Sequence, residues 1–577
     1  MLIASALGVA ATWVLITVVL IGLGSVLLKL FEIDLSLIDA FWMGLAVSIA
    51  ILEIWNLLLP VTGSATALLF CFGILGWITN RSVLWNRLSL GLRTSRWLIL
   101  LQIAVVLFLA LRAVGPCIHY DTGLYGASAV RWILTYPTVP GLANLYGRLG
   151  FNSSAYLCLA ALDTGVWKGL SFHLFTGYLM AAMCFTILPA CVRVARRCPK
   201  SAADWFQCVL AIPLIFWVLR GQIVGAQTDE PATIACLVAV AILFEELAKD
   251  GDRLQESPRG RLVVAAVLFS LAVTFKMSTI VFAVIAWCLT LGRLHFIKQS
   301  GRDRKLYIAG ALVLSTIILF PWCLRGIILT GYPFYPATAM GFPVDWKYPQ
   351  DAARLYVALV HSWGRNPDAR IADTQGYLWL PGWWHQAIRN RSAIQVPLAI
   401  SLAGLAVAVV HRLRRKRVSS SRWLLILVPS LAGVVFWFLA SPDPRFGQFA
   451  IWTTAGTLAT WGIVSVDGGV FQGRCVSTVL AGLLGLLLWC LISFGWKQPY
   501  QSMLAAKAPS PLSRAGLTVR QTGSGLKVYL PMQGNQCWDA PLPCTPYPDD
   551  TLRLRDRENM RWGSLRKGDP IFCTDIR

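Results

Sequence analysis

Residues 4–26 read "ASALGVAATWVLITVVLIGLGSV", an unbroken run with no charged side chain. At 1.5 Å per residue, a helix over this run is long enough for a hydrocarbon core about 30 Å thick. No positive residue precedes it, no small-residue cleavage site stands out, and it is long for a signal-peptide core. We therefore read it as a retained first span. By the ruler of about 20 apolar residues per crossing, roughly fourteen candidate spans follow along the chain. They fall near 5–28, 37–59, 64–79, 97–114, 172–192, 204–220, 231–247, 262–275, 278–292, 306–324, 394–410, 423–440, 448–465 and 476–496. The expected fold is an all-α polytopic membrane protein.

Composition agrees. Of 577 residues, 56% are hydrophobic and 14% charged, with a mean hydropathy of +0.62, whereas soluble domains carry about a quarter charged residues. The net charge of +23 does not indicate nucleic acid, because a nucleic-acid surface gathers its cations on one face. Here they form short clusters between apolar runs, "RRCPK" (196–200), "HFIKQSGRDRKL" (295–306) and "HRLRRKRVSSSR" (411–422). Such clusters report orientation, since Lys and Arg resist translocation. The arginine-rich connections 80–96, 193–200, 248–261, 293–305 and 411–422 all fall on one side when spans are counted, which makes that side cytoplasmic.

The opposite, external connections are 115–171, 221–230, the turn at Lys276, 325–393, 441–447 and the tail. The chain divides into a transmembrane domain, 1–496, with large external loops 115–171 and 325–393, and an extracytoplasmic C-terminal domain, 497–577. "LTVRQTGSGLKVYLP" (517–531) reads as two short strands about a Gly-containing turn, so a small mixed domain is expected. Most of the fifteen cysteines lie in apolar runs, where Cys acts as a small hydrophobe. Cys537 and Cys544, in polar "NQCWDAPLPCTPY" (535–547), are disulfide candidates if the tail is outside. External interfacial helices are also expected: Tyr125, Ala129, Trp132 and Tyr136 recur at helical spacing, a pattern suited to a helix lying on the membrane surface.

The polar loop 117–154 cannot lie in lipid. Asp121 or Thr122 suits a helix cap, but capping leaves His119, Tyr120 and Arg112 unaccounted for. A second acidic site is "GAQTDEPATIACL" (225–237), where Pro231 suits a first helical position, Glu230 a cap, and Asp229 the residue outside. Among cations, Lys276 interrupts an apolar stretch and snorkels to the interface on the simplest view. Arg325 ends a span, and Arg445 in "SPDPRFGQ" (441–448) follows two prolines that limit where it can aim. Walker A, GxGxxG, HExxH and zinc-like CxxC patterns are absent from the sequence.

An acid just after an early span, a tyrosine four residues on, and the "VPGL" turn (139–142) resemble the first external loop of type C glycosyltransferases. These multi-pass enzymes take sugars from polyprenyl-phosphate carriers. The stretch Asp121–Ser154 is similar, more closely, to an uncharacterised family of bacterial multi-pass membrane proteins with "YDTGLY", "GRLGFNSS" and "PDPRFG" segments. The resemblance implies Asp121 as catalytic base or metal ligand, beside His119, with Asp229 and Glu230 positioning a metal or the acceptor. Thr122 stands where a partner acid is usual, which bears on metal use. A divalent cation, Mg or Mn, would need oxygens from both acidic sites about 2.1 Å away.

On this reading Arg445, Lys276 and Arg325 meet the donor phosphate, because guanidinium and ammonium groups suit that charge. Tyr120, Tyr125, Arg148, Asn152 and Trp346 contact sugar or acceptor. The expectation is a bacterial plasma-membrane glycosyltransferase facing outward. Its partners are a polyprenyl-phosphate sugar, membrane lipid, and a glycan, lipid or protein acceptor, with no nucleic acid. The alternatives are a lipid-linked glycan polymerase or ligase using His119, His385 and Arg445, a transporter or flippase, and a scaffold acting through its tail.

Overall fold

A computed structural model describes residues 1–31, 36–94, 96–196, 198–199, 201–249, 260–296, 301–367, 369–414, 421–467, 508–556 and 559–566. The expected span 476–496 lies outside these residues. The helices are α1 (Leu2–Leu30), α2 (Leu37–Leu58), α3 (Gly63–Thr94), α4 (Arg96–Ala113), α5 (Ala127–Thr135), α6 (Ser154–Leu162), α7 (Phe175–Ala195), α8 (Ala202–Leu219) and α9 (Asp229–Leu247). They continue as α10 (Gly260–Phe275), α11 (Ile280–Phe296), α12 (Gly301–Thr330), α13 (Gln350–Arg365), α14 (Leu380–Arg389), α15 (Val396–Arg414), α16 (Leu427–Ala440) and α17 (Gln448–Asp467). Among the described residues, eleven helices are long and apolar enough to cross a membrane. This is a multi-pass helical membrane protein.

Helices α9 and α10 fall outside that eleven, α9 because of its four acids and α10 because of its length. Both are buried along almost their whole length. A helix apolar on every side belongs in the middle of a bundle, and α2, α7, α8, α11, α12 and α17 pack around this pair. Small residues bring α1, α2 and α3 together. A Cβ on Gly44 would lie 1.8 Å from the Leu20 carbonyl oxygen, and one on Gly76 would lie 1.9 Å from that of Gly22. Lipid offers no hydrophobic drive between helices, so close backbone approach of this kind supplies the contact. Pro189, Pro213 and Pro321 sit inside α7, α8 and α12, as packed membrane helices tolerate.

The connections separate by end. At one end, Arg261 bridges Asp39 and Glu245, Arg193 pairs with Asp204, and Lys249 pairs with Glu246. At the other, the segment 114–170 meets the break between α10 and α11, the α12–α15 connection, the turn before α17 and the tail. Two strands, β1 (Leu517–Gln521) and β2 (Lys527–Pro531), pair antiparallel from Leu517 opposite Pro531 to Gln521 opposite Lys527. A second antiparallel pair joins β3 (Leu552–Leu554) to β4 (Ser564–Arg566). Cys537 and Cys544 are disulfide-bonded.

Three expectations need correction. The span at 64–79 does not stop there, because α3 runs to Thr94 with a kink at Asn80. Its arginine-rich second half has Leu and Trp between the charges and no proline to end the helix. Arg325 does not end a span, since α12 continues to Thr330. The Tyr125 to Tyr136 stripe does not rest on lipid: Ala129, Trp132 and Ile133 on α5 are buried in protein, beneath the tail. The amphipathic helices of this end are instead α13 and α14. Trp363 and Trp384 on these helices are exposed, which matches an interfacial aromatic belt.

Candidate functional site

Asp121 opens a single π turn, Thr122–Gly126, whose backbone it caps without any side-chain hydrogen bond. The carboxylate is free to face elsewhere, so the cap expected of it does not form. Thr122 is turned inward, where its hydroxyl accepts from the Ala226 N–H at 2.9 Å. That bond fastens the first loop to the segment leading into α9. Gly225 makes the approach possible: its φ is +138°, and a Cβ there would lie 2.8 Å from the Thr122 hydroxyl and 2.5 Å from Gln227.

Arg445 reaches Asp121 from residues more than three hundred positions away. Its Nη1 donates to Asp121 Oδ2 at 3.2 Å, and its Nε lies 3.2 Å from Asp443 Oδ2. Asp443 also caps the short turn Pro444–Gly447, accepting the Arg445 N–H at 2.9 Å. One guanidinium fork thus spans two carboxylates, and the turn that carries it is fixed by one of them. Asp121 and Arg445 side chains remain 20% and 29% exposed, so the triad lines an accessible recess.

Lys276 stands at the break between α10 and the turn before α11, where its backbone is extended. It pairs with Asp229, and its ammonium sits 4.0 Å from the centre of the Phe446 ring. The Arg445 guanidinium lies 5.3 Å from the same ring. Phe446 therefore separates two cations and attracts each through its π face. Lys276 does not snorkel away. Asp229 is also inside the helix: α9 begins at Asp229 with Thr228 as its cap, so the expected arrangement around Pro231 is shifted inward. Glu230 is buried with Oε2 unpartnered.

His119, Asp121, Asp229, Lys276 and Arg445 thus act on one another within this recess. Burial pushes the Asp121 carboxyl upward, but Arg445, His119, Arg148 and Lys276 outweigh it and hold the group below its ordinary value. His119 is lowered, chiefly by burial, with Arg445 and Lys276 adding to that against Asp121 and Asp229. Its Nδ1 is buried without a partner.

A pH dependence follows. The folded-state pKa of His119 lies below its unfolded value of about 6.5. Its stabilising contribution is therefore complete above about pH 6.5 and is lost as pH falls through the window beneath it. Asp121 acts in the same direction, but only below about pH 3.9. Thermal unfolding followed from pH 7.5 to 5.5 is expected to show a falling midpoint, and His119→Gln is expected to flatten that slope.

Of the other expected residues, Arg325, Asn152 and Trp346 lie apart. Arg325 is 4% exposed and donates to Asn56 Oδ1 at 3.2 Å and to Asn152 Oδ1 at 2.6 Å. Asn152 in turn donates to the Trp322 carbonyl at 2.6 Å. This buried brace joins α2 and α12 to the first loop, beside a cavity of about 20 Å³, room for one water. Trp346 packs under the Arg555 guanidinium at 4.8 Å, against the tail. Tyr120 donates from its hydroxyl to Asn535 at 2.5 Å, also in the tail. Tyr125 packs edge-on to Phe151 with Arg148 above its ring. The sequence alone does not assign Thr122 and Phe446 these roles. Phe446 adjoins Arg445 in "PDPRFG", and that adjacency was the available signal.

The tail covers this end of the bundle. The Trp538 N–H donates to the Gly123 carbonyl at 3.0 Å, and a Cβ on Gly123 would strike the Trp538 ring at 2.4 Å. Arg131 on α5 pairs with Asp539. Among the described residues, no group of three or more His, Cys, Asp and Glu side chains is placed to hold a metal ion. The two nearest acids are each engaged by a cation instead.

These features define a polytopic membrane protein with a charged, accessible recess at the loop-bearing end of its bundle. The chain belongs to the family described as a domain of unknown function, DUF8201, whose model matches residues 7–452. No curated protein and no solved structure matches it.

Proposed function

We propose that this protein is an integral-membrane glycosyltransferase that moves a sugar from a polyprenyl-phosphate donor to an extracytoplasmic acceptor, in a bacterial plasma membrane. One observation carries the reading: Asp121, Arg445, Asp443, Lys276 and Asp229 converge from distant parts of the chain at one accessible place. The basic residues Arg193, Lys249 and Arg261 stand at the opposite end, and the positive-inside rule then turns this recess outward.

The acceptor hydroxyl oxygen attacks the anomeric carbon, and the bond from that carbon to the phosphate oxygen breaks. The bonding electrons leave on the phosphate, and the hydroxyl proton passes to Asp121. Arg445 and Lys276 face the charge growing on the leaving phosphate, where fixed cations act most strongly. The Asp121 carboxylate, as it stands beside Arg445, is a weaker base than a free aspartate. A donor phosphate that draws Arg445 toward itself restores basicity to Asp121 at the moment it is needed. No step is assigned to a divalent cation, because Asp121 and Asp229 are matched to Arg445 and Lys276.

The test is incubation of the full-length protein, reconstituted in liposomes, with a panel of polyprenyl-phosphate sugars labelled in the sugar. Release of free polyprenyl phosphate with label moving to a new product is the expected outcome. Absence of turnover with every donor, from folded protein supplied with a cell-envelope extract, would remove the proposal.

A further inference from the structure

Arg148 is the cation of this recess that has no anion in contact. Arg445 touches Asp121 and Asp443, and Lys276 touches Asp229. Among the described residues, no carboxylate lies within ion-pair distance of Arg148, and none of its five N–H donors makes a hydrogen bond. It stands in the short turn Gly147–Gly150, with its guanidinium carbon 5.8 Å from the centre of the Tyr125 ring. Among the groups that act on it, Asp121 carries the negative charge, while burial keeps the Tyr125, Tyr146 and Tyr356 phenols neutral. The Tyr146 hydroxyl, on a side chain only 4% exposed, is itself buried without a partner.

The turn has little freedom to move that charge elsewhere. A Cβ on Gly147 would lie 2.2 Å from the Tyr356 ring, so the backbone is pressed against α13. A Cβ on Gly150 would lie 2.7 Å from Thr330 and 3.1 Å from Tyr335. The side chain is only half-buried, so its donors keep contact with water and stay open to a ligand. An oxyanion accepts two of them in parallel, and the partnerless Tyr146 hydroxyl, two residues back in the chain, offers a further bond.

We propose that Arg148 and the Tyr146 hydroxyl form an oxyanion subsite for a phosphate group, separate from the Arg445 and Lys276 pair. Under the transferase reading, on which this extension rests, the donor phosphate belongs to Arg445 and Lys276. The second phosphate is then carried by the acceptor. The acceptor is a phosphorylated molecule, either a lipid headgroup or a water-soluble phosphate monoester, anchored by that group while its hydroxyl meets Asp121.

The test uses full-length protein in maltoside detergent, with inorganic phosphate as the probe and chloride at matched ionic strength as the control. Phosphate is expected to raise the thermal midpoint of wild type saturably. Arg148→Gln is expected to weaken that response by roughly tenfold or more, the scale of a lost charge-assisted hydrogen bond. Tyr146→Phe weakens it less. Arg148→Lys, which keeps the charge and the fold, retains part of it. Arg445→Gln leaves the Arg148-dependent response in place.

Competition by short-chain phosphatidate supports the subsite with a lipid headgroup as its source, and phosphate binding without competition supports it with a soluble one. A wild type that responds to phosphate no more than to chloride overturns the proposal. So does a response lost with Arg445 but unchanged in both Arg148 variants. This readout needs no turnover, so its failure and the failure of sugar transfer are separate results.

Discussion

Asp121→Asn is expected to slow sugar transfer by roughly 10²–10⁴-fold, the usual contribution of a positioned general base, without loss of folded protein. Asparagine keeps the size of the side chain and still offers an oxygen to Arg445 Nη1, 3.2 Å away in the wild type. It has neither the charge nor the basicity to take a proton. Arg445 keeps Asp443 as a partner, so the turn that carries it stays anchored. Initial rates with a labelled polyprenyl-phosphate donor, normalised to folded protein by size exclusion, separate the chemical loss from any loss of stability. A variant that transfers at the wild-type rate would take Asp121 out of the reaction.

Arg445→Gln is expected to lower turnover by roughly 10²–10³-fold, the range seen when one donor aimed at developing charge is removed. The Michaelis constant for the donor should rise as well, since the same group binds the phosphate before the bond breaks. Arg445→Lys should recover only part of the rate, because a point charge cannot bridge Asp121 and Asp443 as the planar fork does. A purely structural brace behaves differently. If Arg445→Gln depresses the melting midpoint while each surviving molecule transfers normally, Arg445 holds the loop and nothing more.

Most of the membrane architecture was legible in the sequence, because twenty apolar residues have few other fates. The α3 extension was not: charge was read as connection, whereas Leu84, Trp85 and Leu90 between the arginines sustain a helix. The acids and cations of the recess were visible as residues that do not belong in lipid. What sequence lacks is distance. Nothing in "TFKMST" (274–279) says that Lys276 meets Asp229, and nothing in "PDPRFG" says that Arg445 meets Asp121. The same limit applies to Arg325, Asn152 and Trp346, which fit the chemistry by type. Arg325 and Asn152 are built into a buried brace, and Trp346 packs against the tail. The α5 stripe was misplaced for a related reason: one apolar face looks alike whether lipid or another part of the protein covers it.

The segment that starts at Asn535 and is closed by the Cys537–Cys544 disulfide rests on the first loop, Asn535 and Gln536 at Tyr120 and Trp538 at Gly123. These contacts join residues more than four hundred positions apart. The turn that begins at Asp121 therefore stays uncovered until the later segment has been made and laid across it. A nascent chain, however well its helices are inserted, has not yet acquired the surface that covers this turn.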